Sequence, residues 1–269
     1  MKANIGGIDV NYQVTGQGPW LTLSNSLAAN LEMWDAQLAL LNRHFTVLRY
    51  DTRGHGKTQG TEGPYTLEQL ADDIHGLLTH LGVARTHWIG LSLGGMIGQV
   101  LAIRHPHILD HVVIADSTGK GAPNAVTMWG ERATLARTQG LAPLVQPTLT
   151  RWFTDPFREN HPDVMARIGH MISNTSSNGY AGCCAAISTI NTHDGLQKLH
   201  HPALVIVGEQ DQGTPPAMSE QIHAHWPKSQ YVVLKDAAHL SNIEQAEAFN
   251  KAVMDFLPSQ MHAPAPSQN

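Results

Sequence analysis

The chain has 269 residues, a formal net charge of −5 and a hydrophobic fraction of 42%, enough length and apolar content to bury a core without metals or disulfides. The acidic balance excludes a basic face for nucleic acid, and no stretch reaches the roughly 18 apolar residues of a membrane span. Two adjacent cysteines, Cys183 and Cys184, and an N-terminal "MKANIGGIDVNYQ" without an apolar signal core predict a soluble cytoplasmic protein.

In chain order, "IDVNYQVTG" alternates apolar and polar residues and reads as an edge strand. "WLTLSNS" and "FTVLRYDTRG" are near-continuous apolar runs, the pattern of parallel strands covered on both faces, and "MWDAQLALLNRH" between them is helical. "TLEQLADDIHGLLTHLG" opens with Thr66 and Gln69 at capping-box spacing and carries Leu67, Leu70, Ile74, Leu77, Leu78 and Leu81 as one stripe. "THWIGLS" (strand), "GGMIGQVLAIRH" (helix) and "HVVIAD" (strand) follow; "ALVIVGEQD" and "QYVVLKDAAH" are the last strands, and "IEQAEAFNKAVMDFL" is a terminal helix. This alternation implies an α/β fold with a mostly parallel sheet flanked by helices. Residues 119–198 break it with helical pieces punctuated by Pro143, Pro147, Pro156 and Pro162. They read as a helical cap inserted over the carboxyl edge of a core formed by 1–118 and 199–258. The polar, proline-rich tail at 259–269 reads as disordered.

"GLSLGG" contains G-x-S-x-G, with Ser92 between a strand candidate and a helix candidate, the context of a nucleophile elbow. Such a turn holds the serine in a strained conformation that needs small neighbours, here Gly90 and Gly94, and aims the helix N-terminus at the anion formed in acyl transfer. A serine nucleophile needs a base, and the base an orienting acid, in the chain order Ser, Asp or Glu, His. Asp211 follows "ALVIVGEQ" and His239 follows "YVVLKDAA", each at a strand's carboxyl end. Asp116, which closes "HVVIAD", and Glu209 are rival acids, and Asp236 reads as a loop-capping residue. His105, His107 and His111 lack the i, i+4 spacing of a zinc site and read as surface or helix-terminal, as do His200, His201, His223 and His225. No metal or cofactor is expected.

Taken together, "LSNSLAANLEMWDAQL", "FTVLRYDTRGHGKT", "GLSLGGMIGQ", "RWFTDPF", "LVIVGEQDQGTPP" and "LKDAAHLSNIEQ" resemble the α/β-hydrolase superfamily over residues 5–257, and within it the 3-oxoadipate enol-lactonases of the β-ketoadipate pathway. "LSNSL" is the narrower signature, because most hydrolases of the superfamily carry His-Gly where this chain has Asn25-Ser26. The resemblance implies Ser92 as nucleophile, Asp211 as acid and His239 as base, with the backbone N–H groups of Leu27 and Leu93 as the oxyanion hole. It implies an anionic lactone or ester as substrate, for which Asn25, Ser26, Trp129, Arg132 and Trp152 are candidate contacts and Arg137 and Arg151 further candidate cations. Other esterases, acyl-homoserine-lactone hydrolases and perhydrolases use the same triad on this scaffold, and a ligand-binding protein on the fold would need no triad.

Overall fold

The computed structural model describes residues 1–258, so the expected disordered tail at 259–269 lies outside the described residues. Eight strands form one sheet in the order β1-β2-β4-β3-β5-β6-β7-β8. They are β1 (Lys2–Ile5), β2 (Ile8–Gly16), β3 (Trp20–Ser24), β4 (Thr46–Tyr50), β5 (Thr86–Leu91), β6 (Leu109–Ala115), β7 (Ala203–Gly208) and β8 (Ser229–Leu234). The first two pairings are antiparallel and the remaining five are parallel.

Two edge assignments differ from the sequence reading. The alternating "IDVNYQVTG" is β2, and it is not an edge, because β1 pairs along it in register Ile5 to Ile8. Gly6 and Gly7, both with positive φ, make the two-residue turn that folds β1 back. At the other side β8 is the edge strand, and its expected two-sided burial does not hold: Val233 is 42% exposed. In between, every residue of β5, β6 and β7 is buried, as the continuous apolar runs require.

Twelve helices accompany the sheet among the described residues. Before the last third of the sheet come α1 (Asp35–Leu41), α2 (Leu67–His80) and α3 (Leu93–Arg104). Thr66 caps α2 by accepting the Gln69 N–H at 3.1 Å, and Leu67, Leu70, Ile74, Leu77 and Leu78 form its buried stripe. Helix α3 is buried all round from Leu93 to Ala102, so it shows no polar face.

Between β6 and β7 the chain leaves the sheet as α4 (Ala125–Gln139), α5 (Val145–Trp152), α6 (Asp155–Asn160), α7 (Pro162–Ser173) and α8 (Ser177–Ser188). Pro156 and Pro162 fall in the first turns of α6 and α7, where no amide hydrogen is needed. α4 packs lengthwise on α8. The two chain segments that lead in and out of this layer pair with each other: Lys120 bridges Asn191, Gly121 N–H donates to Ile190 at 3.0 Å and Thr192 N–H to Gly119 at 2.8 Å. The chain then adds α9 (His193–Leu196), α10 (Pro216–His225), α11 (Ser241–Glu244) and α12 (Ala246–Phe256) around β7 and β8.

Candidate active site

Ser92 stands at the junction of β5 and α3 with φ 55° and ψ −112°, a conformation that costs an ordinary residue of order 1–3 kcal/mol. The turn closes only because its flanks lack side chains. A Cβ on Gly90 would fall 2.1 Å from the Gly94 carbonyl oxygen, and one on Gly94 would fall 2.2 Å from the Ser24 carbonyl oxygen. The serine peptide is clamped by the end of β6 and the residues just after it: its N–H donates to Ala115 at 2.9 Å, and its carbonyl accepts the Ser117 hydroxyl at 2.8 Å.

Asp211 and His239 are joined by a 2.8 Å contact between Oδ2 and Nδ1. Asp211 also accepts from the N–H groups of Gly213 and Thr214 at 2.7 and 3.0 Å, and from the Thr214 hydroxyl at 2.8 Å. Burial alone would raise this carboxyl. The His239 charge and these hydrogen bonds outweigh it and hold Asp211 below the usual carboxylate range. With Nδ1 committed to Asp211, Nε2 is the imidazole nitrogen left for Ser92, which lines the same cavity. The serine–histidine hydrogen bond itself is not formed among the described residues. Such bonds often tighten only around a bound substrate.

That cavity encloses about 150 Å³ between the sheet's carboxyl edge and the helices inserted after β6. Leu27 lines it together with Ser92, and Leu93 opens α3, so its N–H has no partner within the helix. Ser26 also lines it, and the buried Ser26 hydroxyl has no partner among the described residues. From the inserted helices come Trp129, Arg132, Thr148, Arg151 and Trp152. The Arg132 guanidinium lies over the Trp129 ring, 5.2 Å from its centroid, and the Trp152 ring stacks on His239 at 6.2 Å.

Three expectations need correction. Asn25 does not reach the cavity: its side chain donates to the Tyr50 carbonyl at 2.7 Å and accepts from the Trp34 indole at 3.0 Å, while its carbonyl takes the Gly94 N–H. It braces the elbow from behind. Of the arginines considered, Arg132 and Arg151 line the cavity and Arg137 does not. His111 is buried rather than superficial, with ligand atoms of His87, Asp110 and His111 all within 4.8 Å and the Arg85 guanidinium 3.1 Å from Asp110. Its position inside a fully buried strand was there to be read in "HVVIAD".

The rival acids sit elsewhere. Glu209 is exposed. Asp116 is fully buried, but its carboxyl meets Gly208 and Ser241 rather than the imidazole. Burial first, then the charge of Asp211, push Asp116 well above the ordinary carboxylate range. Met96, Met128, Tyr180, Ile187 and Gln212 also line the cavity and were not singled out from the sequence: Met128, Tyr180 and Ile187 are isolated residues on inserted helices, Met96 lies on α3 and Gln212 in the loop after β7, and none belongs to a local pattern. Cys183 and Cys184 are both buried, and burial raises the Cys184 thiol to about 12. No helix of the described residues is long and apolar enough to cross a membrane.

The comparisons agree with this architecture. The family model described as alpha/beta hydrolase fold matches residues 19–246. A 3-oxoadipate enol-lactonase of Acinetobacter baylyi is 41% identical over 91% of this chain and 92% of its own length. The crystal structure of the enol-lactonase from Burkholderia xenovorans superposes with a TM-score of 0.92 at 40% identity, covering 95% of this chain and 99% of that one. A thermophilic esterase from Thermogutta terrifontis, solved with malate bound, has a TM-score of 0.90 at 29% identity over 95% of this chain and 96% of its own. The chain belongs to the α/β-hydrolase fold family, among the relatives of the 3-oxoadipate enol-lactonases.

Proposed function

We propose that this protein hydrolyses an anionic lactone, 3-oxoadipate enol-lactone, to 3-oxoadipate. The observation that carries the reading is the convergence of a strained Ser92 and an Asp211-oriented His239 on one cavity that also receives Arg132 and Arg151.

In this reading Ser92 Oγ attacks the ring carbonyl while His239 Nε2 takes its proton. The N–H groups of Leu27 and Leu93 receive the oxyanion. The tetrahedral species collapses by breaking the ring C–O bond, and the imidazolium returns its proton to the departing enol oxygen. The enol tautomerises to the ketone while the acyl group stays on Ser92. Water, deprotonated by His239, then attacks the ester and releases 3-oxoadipate with Ser92 restored. Asp211 holds Nδ1–H in place throughout and favours the cationic imidazole. The chemistry calls for no cofactor.

The substrate's resident carboxylate lies toward Arg132 and Arg151. The malate in the Thermogutta terrifontis esterase, a dicarboxylate, supports anion recognition in this scaffold. The Ser26 hydroxyl supplies a further polar contact, and Trp129 and Trp152 wall the ring. The helices after β6 serve as the cap over the site.

Purified protein incubated with 3-oxoadipate enol-lactone tests this through the loss of the lactone's ultraviolet absorbance, with Ser92→Ala in parallel and its fold checked by circular dichroism. Rapid loss abolished by the substitution supports both nucleophile and substrate. An untouched lactone beside rapid cleavage of a p-nitrophenyl ester would keep the triad and refute the substrate.

A further inference from the structure

Asp116 does not line the cavity and its carboxyl bonds to Gly208 and Ser241, yet its surroundings lead to all three candidate triad residues. It is the residue just after β6, with φ 45°, in the left-handed region that an aspartate enters at some cost. Its two neighbours hold the Ser92 peptide, Ala115 through its carbonyl and Ser117 through its hydroxyl. Its own carboxyl is turned the other way. Oδ1 accepts the Gly208 N–H at 2.8 Å, where β7 ends and the loop of Asp211 begins. Oδ2 lies 2.5 Å from the Ser241 hydroxyl, two residues beyond His239.

We infer that Asp116 is a positioning residue, a node that registers the Ser92 elbow against the loops of Asp211 and His239. The positive φ is what allows the backbone on either side to serve the serine while the side chain spans to the other two loops. This role rests on the proposed triad and adds to it a residue that never meets substrate.

The ionisable groups that face Asp116 are Asp211 and Glu244, both acidic, and no cation is among its strongest electrostatic partners. Burial and these like charges raise its carboxyl, and both of its oxygens are already committed to Gly208 and Ser241, so the geometry points to a positional task. An asparagine can do the same work. Its oxygen accepts from Gly208, its amide donates to the Ser241 hydroxyl, and it tolerates positive φ better than most residues.

Three variants read this out on p-nitrophenyl acetate, with Ser92→Ala and His239→Ala as references. Asp116→Ala lowers kcat by about 100-fold, the scale on which a loss of about 1 Å in alignment acts, and leaves KM within about threefold because the cap is untouched. Its kcat/KM profile against pH shifts on the acid limb, since His239 and Asp211 no longer meet squarely. Asp116→Asn recovers kcat to within about fivefold of wild type with the wild-type acid limb. Ser241→Ala, which cuts only the His239 arm, loses about tenfold in kcat, an intermediate effect that one lost hydrogen bond accounts for.

A purely packing role would be met by lowered thermal stability in Asp116→Ala with an unmoved pH profile, and that result overturns the inference. So does an Asp116→Asn variant as impaired as Asp116→Ala, which would make the charge essential. If Asp116→Ala does not fold, Ser241→Ala and Asp116→Asn decide alone: an unchanged kcat in the former, or a collapsed one in the latter, refutes the node. Retained activity in Ser92→Ala or His239→Ala refutes the triad instead, so the two failures are distinct.

Discussion

Thr154 gives both its backbone N–H, at 2.9 Å, and its hydroxyl, at 2.5 Å, to the same oxygen of Glu244. The other oxygen of Glu244 accepts the Ala238 N–H at 2.8 Å, one residue before His239. One residue after it, Leu240 N–H donates to the Trp152 carbonyl at 3.1 Å. His239 is therefore bracketed by two bonds that both lead to the segment 152–154, which also carries the Trp152 ring stacked on the imidazole. The imidazole and the cavity wall are thus tied to one segment.

Glu244→Gln therefore loosens both. Gln presents an amide where the carboxylate accepted, leaving either Ala238 or Thr154 facing a second donor. Hydrogen bonds to charged groups contribute about 1.5–3 kcal/mol each. The expected result is a melting temperature several degrees lower together with an about 10- to 100-fold fall in kcat/KM. Thermal melts and ester turnover measured on the same preparation check this, and unchanged turnover in a destabilised variant would count against the coupling.

Arg132→Gln and Arg151→Gln separate charge recognition from chemistry. Each removes a cation that lines the cavity without touching Ser92 or His239. For an anionic lactone, kcat/KM falls by about 10- to 100-fold, the scale of one charge-assisted hydrogen bond, and it does so mainly through KM. A neutral p-nitrophenyl ester is cleaved at close to the wild-type rate. Steady-state kinetics on both substrates give the comparison, and an equal loss on both excludes anion recognition as the arginines' role.

Gly94→Ala measures how tightly the elbow is built. The new methyl would have to occupy a point 2.2 Å from the Ser24 carbonyl oxygen and 2.9 Å from its Cβ, a clash with backbone that no side-chain rotation relieves. Overpacking of this kind costs about 1–3 kcal/mol and sometimes more. Denaturant unfolding is expected to show that loss, and turnover to fall with it as Ser92 is displaced.

Asp116 and Asp211 bend the stability curve in opposite directions. Asp211 is held low when folded, so its stabilising contribution is complete above the unfolded carboxylate range and is lost as pH falls through the folded value. Asp116 is raised when folded, so the native state binds a proton the unfolded chain has released, and stability declines as pH climbs from about 4 toward neutrality. Asp116→Asn removes that decline, at up to about 1.4 kcal/mol per pH unit within the window. Melting curves from pH 4 to 7 are expected to show the Asn variant gaining on wild type as pH rises, and parallel curves would refute the shift.

Much of the architecture was legible because burial on both faces leaves a continuous apolar signature. "THWIGLS" and "HVVIAD" are strand up to their last residue, and "ALVIVGEQD" is strand over its first six residues, Ala203–Gly208. β1 escaped notice because four residues, two of them polar, carry too little pattern, although the Gly6-Gly7 turn that creates it was visible. β8 was read as interior because an edge strand that is only half covered can still be rich in valine. At the site, Ser92, Asp211 and His239 could be singled out because each lies just beyond the carboxyl end of a strand, a local feature. Asn25 was placed wrongly because adjacency to Ser26 says nothing about direction: in an extended segment neighbouring side chains point to opposite sides. The coupling of Glu244 to Thr154 spans 90 positions and leaves no trace in either segment alone.

The pinched pairing of Lys120 with Asn191 offers an apparent exchange point, where the inserted helices could be replaced wholesale by those of a relative. The stitches at Trp152 and Thr154 make that exchange conditional. A foreign insert that folds perfectly well would still strand the Glu244 carboxylate and the Leu240 amide, and with them His239, unless it returned a hydroxyl, an amide hydrogen and a carbonyl to the same three places. In evolving toward new substrates, this scaffold is free to redraw the rest of its roof while those few atoms remain under constraint.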